Sequence, residues 1–343
     1  MRFCVCFGTI VVNRFTTPTQ EQTAPRIDIH QHLWPESFLA ALHRRREPPR
    51  LFPENGGLRL EMVHEPACPI HAAAHDPDAR IRLLDREEID LAVVSISTPV
   101  GSEALPADEA APLVQAFNDG VRELVGGSGG RLRAFAAAVI DAPAEAAHDL
   151  EERLDQGFVG LSIASDALAT PAAIDRVAPL LGLLERRGRP LFVHPGPAPW
   201  TVPDPAPDGL PGWWTSLGRY PEQSLRAFYT WRAVGAARYP ALRVAFAIMG
   251  GGAPFLEERW STFAGGGREI DRNVYLDTAS SRRLAVELAL ATYGAEQVVY
   301  GTDVPVIDPA GVRTAVRSLG AGAADLVYSE NPMRLLDLNG DLR

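Results

Sequence analysis

The sequence predicts a TIM barrel, a closed sheet of eight parallel strands surrounded by helices. Short runs rich in β-branched and aromatic residues alternate with segments of helical pattern, which is typical of a parallel sheet built from strand–helix units. The length of 343 residues fits eight such units in one domain. The candidate strands lie near residues 26–30, 90–97, 131–139, 158–163, 190–194, 242–249, 273–279 and 297–302.

The segments between these strands predict the outer helices. Several open with proline, for example at Pro143 and Pro171. Proline is favoured in the first turn because the amide hydrogen that it lacks would have no partner there. The candidate helices lie near residues 107–125, 143–156, 171–187, 221–238, 253–263, 281–293 and 309–318. In such a barrel the chemistry lies at the carboxyl ends of the strands.

The first 25 residues differ from the rest of the chain. Residues 3–12 have the outline of a short signal peptide, but Asn13-Arg14-Phe15 follows instead of a small-residue cleavage site. We therefore expect residues 1–25 to form a poorly ordered leader. The barrel domain is predicted to comprise residues 26–343.

Composition and charge exclude several classes of partner. The net charge is −10, and Arg44-Arg45-Arg46 is the one basic cluster, which argues against binding to nucleic acid or an anionic membrane. No run approaches the roughly 20 apolar residues that a membrane span requires. Three cysteines are too few for a disulfide framework and favour the cytoplasm. We expect a small-molecule substrate, and a homodimer is the assembly that we consider.

Histidines at strand exits predict a metal site. His30 and His32 lie two residues apart in an extended run, so their side chains point to one face. His194 ends the fifth strand, and Asp303 follows the eighth. Three imidazoles and a carboxylate suit one divalent ion with an open coordination position. Zinc is the predicted ion, with iron and manganese as alternatives.

A long insertion separates the first strand from the helix before the second. Residues 33–80 greatly exceed the usual loop length. Insertions after barrel strands fall on the catalytic face, so this segment is predicted to be a lid. Cys68, His71 and His75 could form a second zinc site. A proline-rich lid with solvent-facing imidazoles is the simpler interpretation.

Five motifs occur in a characteristic order along the chain. They are Asp28-Ile29-His30-Gln31-His32-Leu33-Trp34-Pro35, His194-Pro195, Gly250-Gly251-Gly252-Ala253-Pro254, Tyr300-Gly301-Thr302-Asp303-Val304-Pro305 and Glu330-Asn331-Pro332-Met333-Arg334-Leu335-Leu336. Together they resemble the amidohydrolase-2 branch of the metal-dependent amidohydrolase superfamily, which includes relatives of aminocarboxymuconate-semialdehyde decarboxylase. The resemblance covers residues 26–336.

The resemblance implies roles for individual residues. His30, His32, His194 and Asp303 would bind one divalent metal, usually zinc. The metal would act as a Lewis acid and lower the pKa of bound water, while Asp303 would be the catalytic proton carrier. The reaction would be hydrolysis of a small acyl compound (an amide, ester, lactone or thioester) or decarboxylation of an aromatic or enoic acid.

Two departures from the pattern bear on the mechanism. Relatives commonly place a histidine just before the glycine cluster after the sixth strand, but this chain has Ile248 and Met249, neither of which transfers a proton. Binuclear members often bridge two metals with a carboxylated lysine on the fourth strand. This chain contains no lysine, and Ser162 lies in the matching run. A single metal is therefore expected, although a carboxylate bridge from Asp or Glu stays open.

Residues 250–252 allow two interpretations, either an anion-binding turn or a tight turn beside a crowded metal. Trp34, Met249 and Gly250 are the residues predicted to contact the substrate.

Trp213, Trp214 and Trp231 could line an aromatic pocket, but burial in the core is the simpler prediction for each. Asp277 ends the seventh strand. It is predicted to cap the helix that follows Ser280 rather than to reach the pocket.

The sequence alone leaves three functions open. The favoured one is a metal-dependent hydrolase that uses activated water and Asp303. The nearest alternative is a metal-dependent decarboxylase. The third is a barrel that lost catalysis together with its strand-6 histidine and now binds a ligand; retention of the four candidate metal ligands favours an enzyme.

Overall fold

A computed structural model of the protein describes residues 24–202, 209–211, 213–265 and 270–338. Eight parallel strands form the predicted barrel. In the order of pairing they are β1 (Ile27–His32), β5 (Leu91–Ser95), β6 (Leu132–Ala136), β7 (Gly160–Ala164), β8 (Leu191–His194), β9 (Val244–Phe246), β10 (Val274–Asp277) and β11 (Val298–Val299). All eight predicted strands are confirmed, and several are shorter than the apolar runs suggested.

The helices surround the barrel as predicted. They are α1 (Glu36–Arg44), α2 (Pro77–Glu87), α3 (Ala107–Gly127), α4 (Pro143–Asp155), α5 (Pro171–Arg176), α6 (Ala178–Arg187), α7 (Trp214–Thr230), α8 (Ala236–Arg238), α9 (Ile248–Ala264), α10 (Arg283–Tyr293), α11 (Ala310–Arg317), α12 (Ala321–Asp325) and α13 (Asn331–Leu336). Short π-helical segments, Trp231–Gly235 and Leu326–Glu330, continue α7 and α12. No helix among the described residues is long and apolar enough to cross a membrane.

The last strand returns to the first and closes the barrel. The backbone N–H of Ile29 donates to the Tyr300 carbonyl at 3.0 Å, and that of His32 donates to the Val304 carbonyl at 2.6 Å. The buried Asp28 carboxylate adds a side-chain link, since it accepts the Thr302 hydroxyl at 2.6 Å. These bonds fix the exits of β1 and β11 next to each other, so His30, His32 and Asp303 end at one place.

The barrel interior is filled by an apolar cluster. Ile27, Val93, Phe135, Phe192 and Tyr275 belong to it, and it receives residues from all around the barrel. Leu335 and Leu336 at the end of α13 join the same cluster. A second, larger cluster packs between the barrel and its helices. The interior is therefore a solid core on which the polar residues at the strand exits rest.

The insertion contains α1 and a small antiparallel sheet of three strands, β2 (Arg50–Glu54), β3 (Gly57–Glu61) and β4 (Cys68–Ile70). It packs on the carboxyl-terminal face. The Arg219 guanidinium of α7 donates to the His64 carbonyl at 2.7 Å and to Glu65 Oε1 at 3.1 Å. The N–H of Val63 donates to the carbonyl of Val100, which follows β5. The lid function of residues 33–80 stays a prediction.

The second zinc site does not form among the described residues. The metal-ligand cluster found there contains none of Cys68, His71 and His75. His71 is exposed, but His75 is buried and stacks on Trp34, with ring centroids 4.6 Å apart. The expectation of solvent-facing imidazoles is thus wrong for His75. The predicted leader lies almost entirely outside the described residues.

Candidate metal centre

The four predicted ligands converge at the carboxyl ends of β1, β8 and β11. One ligand atom from each of His30, His32, His194 and Asp303 lies within 4.8 Å of the other three, and all four residues are buried. The Nε2 atoms of His30 and His32 are 3.3 Å apart. The three imidazole rings are nearly perpendicular to one another, with centroids 4.9–5.1 Å apart. This arrangement directs three nitrogen atoms and one carboxylate at a common point.

Each imidazole is held by its second nitrogen, Nδ1. His30 Nδ1 lies 2.6 Å from Asp277 Oδ2. His32 Nδ1 lies 3.3 Å from the Ser95 carbonyl, and His194 Nδ1 lies 2.9 Å from the Pro195 carbonyl. Acceptors at Nδ1 fix the tautomer that leaves Nε2 free, which is the usual support for metal-ligating histidines. The surroundings therefore prepare all three Nε2 atoms for a cation.

Asp277 contacts a candidate metal ligand, His30, and the sequence interpretation missed this contact. The prediction that it caps a helix is wrong, because α10 begins later and Arg282 occupies the capping position. Asp277 is fully buried, and its Oδ1 accepts the N–H groups of Ile248 at 2.8 Å and Ala279 at 3.0 Å. It thereby connects the exit of β9 to His30. The sequence offered one signal for this contact, which is that Asp277 ends a barrel strand.

Asp303 supplies the one carboxylate of the cluster. Its Oδ1 lies 3.4 Å from His30 Nε2 and 3.1 Å from His32 Nε2. The same oxygen is buried and lacks a hydrogen bond of good geometry. Burial acts to raise the pKa of this carboxyl, but the imidazoles of His30 and His32 outweigh that effect and hold the pKa below its usual range. A charged oxygen without a hydrogen bond of good geometry, beside three imidazoles, fits a divalent cation.

The protonation of the imidazoles also fits a cation. Burial lowers the pKa of His32 and His194, so both rings are neutral and able to ligate. Burial also acts to lower the pKa of His30, but the carboxylates of Asp277 and Asp303 raise it to about 10. A ligating imidazole must be neutral, so a bound cation would replace the proton of His30.

The exit of β9 carries the aliphatic residues that replace the expected histidine. Ile248 is partly exposed and lies next to Asp277 through its backbone N–H. Met249 is 4% exposed and belongs to the apolar cluster between barrel and helices. The backbone of Ile248 therefore lies beside Asp277, the residue that holds His30. The predicted substrate contact of Met249 stays a prediction, and its placement in this cluster does not favour it.

The glycines after β9 serve close packing. The backbone at residues 248–252 is left-handed throughout, with φ between 49° and 88°. A Cβ atom at Gly251 would lie 2.1 Å from the Pro221 carbonyl oxygen of α7, so only glycine fits. Gly250 faces Phe228 and Leu276. These contacts favour the tight-turn interpretation of the glycines.

The remaining residues that the sequence analysis singled out differ in how deeply their side chains are buried. Trp34 is 6% exposed, and its Nε1 is buried without a hydrogen-bond partner. Trp231 is buried as predicted, but the prediction is wrong for Trp213 and Trp214, which are 57% and 40% exposed. Ser162 is buried on β7, and its hydroxyl has no hydrogen-bond partner among the described residues.

The fold and the cluster define the class of barrel proteins that are built around a divalent metal at the carboxyl ends of their strands. Within this class the chain belongs to the amidohydrolase family, because the sequence model of that family, described as amidohydrolase, matches residues 27–338. The resemblance in its sequence motifs is thereby confirmed.

The chain is also similar to individual proteins of known activity or structure. The chain is 24% identical over 310 residues to 2-amino-3-carboxymuconate-6-semialdehyde decarboxylase of Dictyostelium discoideum, covering 82% of this chain and 81% of the relative. Among solved structures it resembles the apo form of IDCase from Metarhizium anisopliae, with a TM-score of 0.75, 21% identity and coverage of 94% and 99% of the two chains. It also resembles dihydroxybenzoic acid decarboxylase from Polaromonas sp. JS666 with bound manganese and an inhibitor, with a TM-score of 0.67, 19% identity and coverage of 92% and 98%.

We expect Asp277→Asn to weaken metal binding about 10- to 100-fold, because an amide nitrogen facing His30 Nδ1 would favour the wrong imidazole tautomer. The measurement is a competition titration with a chelating dye, with circular dichroism as a check on folding. Asp271→Asn is the matched control, because that exposed carboxylate caps the N–H of Asn273 at the other end of β10. Equal affinity for both variants would show that Asp277 does not orient the ligand.

Proposed function

We propose that the protein is a metal-dependent decarboxylase of a small aromatic or enoic acid. The convergence of His30, His32, His194 and Asp303 supports a metal-dependent reaction. The kinship with 2-amino-3-carboxymuconate-6-semialdehyde decarboxylase supports the choice of reaction. Hydrolysis, which the sequence alone favoured, receives no support from the relatives described above.

The proposed reaction gives Asp303 a defined task. Loss of carbon dioxide breaks a carbon–carbon bond and leaves its electron pair on the substrate carbon, which must then take up a proton. Asp303 is the proposed carrier. Its ionised Oδ1, which has no hydrogen bond of good geometry, would take a proton from a water molecule in the site and pass it to this carbon. The remaining hydroxide would combine with the carbon dioxide as bicarbonate. Neither Ile248 nor Met249 can perform this step. A divalent ion held by the four ligands would supply a Lewis acid for the oxygen atoms of the substrate acid.

The identity of the ion belongs to the same proposal. Three imidazole nitrogens and one carboxylate suit zinc, which stays the predicted ion. Manganese is the second candidate because the decarboxylase structure from Polaromonas contains it. A homodimer and a cytoplasmic location also stay predictions.

The proposed function is tested by separating carbon dioxide release from hydrolysis. The purified protein, loaded in turn with zinc and manganese, is incubated with aromatic and enoic acids, amides, esters and thioesters. We expect carbon dioxide from at least one acid, loss of that activity after chelation, and no hydrolysis. Hydrolysis without carbon dioxide would establish the hydrolase interpretation instead, and binding of metal and acid with neither product would indicate a ligand-binding barrel.

A further inference from the structure

We propose that Thr98 is a positioning residue of the metal centre, which holds the imidazole of His194 so that its Nε2 atom is free for the ion. The inference rests on the proposed metal site and not on the reaction that the site performs. Thr98 is buried and follows β5, the neighbour of β1 in the barrel. None of the sequence motifs includes it.

The Thr98 hydroxyl contacts both the ring and the main chain at the metal ligand. It donates to the Pro195 carbonyl at 2.6 Å, its shortest contact, and lies 3.3 Å from the His194 carbonyl. His194 Nδ1 lies 3.1 Å from the same hydroxyl oxygen. Because the hydroxyl proton is directed at Pro195, the oxygen keeps lone pairs that can accept the proton of Nδ1.

Nδ1 of His194 therefore has two acceptors, the Thr98 hydroxyl and the Pro195 carbonyl at 2.9 Å. Both favour the tautomer that carries its proton on Nδ1, and this tautomer leaves the Nε2 lone pair for a metal. Two acceptors also restrict rotation of the ring more than one does. Thr98 thus sets both the tautomer and the orientation of the ligand.

A second hydroxyl distinguishes support of the main chain from support of the ring. Ser165, which follows β7, donates to the His194 carbonyl at 2.9 Å. This bond is made to the main chain of the ligand, whereas Thr98 also contacts the imidazole. The two hydroxyls allow the two kinds of support to be removed separately.

Close packing keeps Thr98 against the ligand. A Cβ atom on Gly196 would lie 2.5 Å from Thr98 Oγ1, so only glycine lets the two segments approach this closely. From the insertion, the N–H of Val63 donates to the Val100 carbonyl at 3.4 Å. A Cβ atom on Gly101 would lie 2.7 Å from Val63 Cγ2. The turn that carries Thr98 is therefore enclosed between the metal ligand and the insertion.

The backbone just before this turn is strained. Ser97 has a φ of 63°, a left-handed conformation that is uncommon for a residue other than glycine. Such conformations persist where surrounding contacts fix them, and they concentrate at functional sites. The strain at Ser97 thus accompanies the contact between Thr98 and His194.

The test measures the Kd for cobalt by competition with a chelating dye. Thr98→Val removes the hydroxyl with little change in shape, and we expect the Kd to rise about 10-fold because the imidazole loses one of its two Nδ1 acceptors. Thr98→Ser keeps the hydroxyl and should bind cobalt nearly as tightly as the wild type. A role of Thr98 in packing alone would not be rescued by the smaller serine.

Two other variants serve as comparisons. Thr230→Val is the matched control, because it removes a hydroxyl that donates to the Ala169 carbonyl at 3.1 Å at the end of α7. Its Kd for cobalt should equal that of the wild type. Ser165→Ala should weaken cobalt binding less than Thr98→Val, because the imidazole keeps both of its acceptors.

A second measurement on the wild type does not depend on how the variants fold. NMR of the metal-free protein with ¹⁵N-labelled histidine reports which ring nitrogen carries the proton, and the His194 signal is identified by its absence in His194→Ala. We expect the proton of His194 on Nδ1. In Thr98→Val this proton should exchange faster with water, and in Thr98→Ser it should exchange as in the wild type.

Equal Kd values for wild type and Thr98→Val would overturn the inference, as would equal weakening by Thr98→Val and Ser165→Ala. A proton on Nε2 of His194 in the metal-free wild type would also overturn it. The proposed function fails separately: a wild type that binds cobalt with the help of Thr98 but releases no carbon dioxide from any acid would refute decarboxylation and leave the role of Thr98 intact.

Discussion

Replacement of both imidazoles on β1, in the variant His30→Ala/His32→Ala, is expected to leave the protein without metal. The two side chains supply half of the four converging ligands, and their Nε2 atoms lie only 3.3 Å apart. His194 and Asp303 alone would offer two ligands, too few for the closed set that a tightly bound ion requires. Elemental analysis of the wild type should give about one equivalent of a divalent metal, and the double variant should give none.

The control for this experiment removes two imidazoles elsewhere. His43 lies in the insertion, where its Nδ1 is 3.2 Å from the Leu51 carbonyl, and His148 is exposed on α4. His43→Ala/His148→Ala should keep the full equivalent of metal. Stoichiometric metal in the β1 variant would contradict the assignment of the site.

Asp303→Asn is expected to reduce turnover by at least about 10²-fold, because the amide cannot carry the proton that the product carbon requires. The backbone should tolerate the change: Asp303 has a φ of 67°, and asparagine adopts the left-handed region readily. Turnover is measured as carbon dioxide release, with metal content determined in parallel so that loss of the ligand and loss of the proton carrier are distinguished.

Two further variants make the result specific. Asp308→Asn is the control. Asp308 lies five residues after Asp303 in the chain, and its carboxylate caps the N–H of Ala310. This variant should retain full turnover. Met249→His should change the rate only modestly, because Met249 packs in the apolar cluster outside the metal ligands. Near-normal turnover of Asp303→Asn with metal bound would exclude Asp303 as the carrier.

The repeating pattern of the chain was sufficient to predict the barrel and the convergence of four candidate metal ligands at its carboxyl-terminal face. Parallel strands exit on one face, so residues that end or follow strands converge even when they are far apart in sequence. His30 and Asp303 illustrate this, since they are separated by 273 positions yet their ligand atoms lie 3.4 Å apart.

Contacts between side chains of different strands could not be predicted in this way. Asp277 followed by Ser280 and Ser281 resembles the start of a helix, and only the tertiary arrangement shows that its carboxylate supports His30. Likewise, the sequence left open whether Ile248 or Met249 stands at the missing histidine. The structure places Met249 in the apolar cluster, whereas the backbone N–H of Ile248 donates to Asp277, the residue that holds His30.

The origin of the ligands has a mechanical consequence for the barrel. β1 and β11 are neighbours at the seam where the sheet closes, whereas β8 lies on the far side of the ring. An ion held by His30, His194 and Asp303 would cross-link strands on opposite sides of the barrel. It would join β1 and β11, where the sheet closes, to β8 on the opposite side, so β1 and β11 could separate only if a bond between the ion and a ligand broke. Because such an ion binds the folded chain and not the unfolded one, its affinity adds directly to the resistance of the barrel to opening.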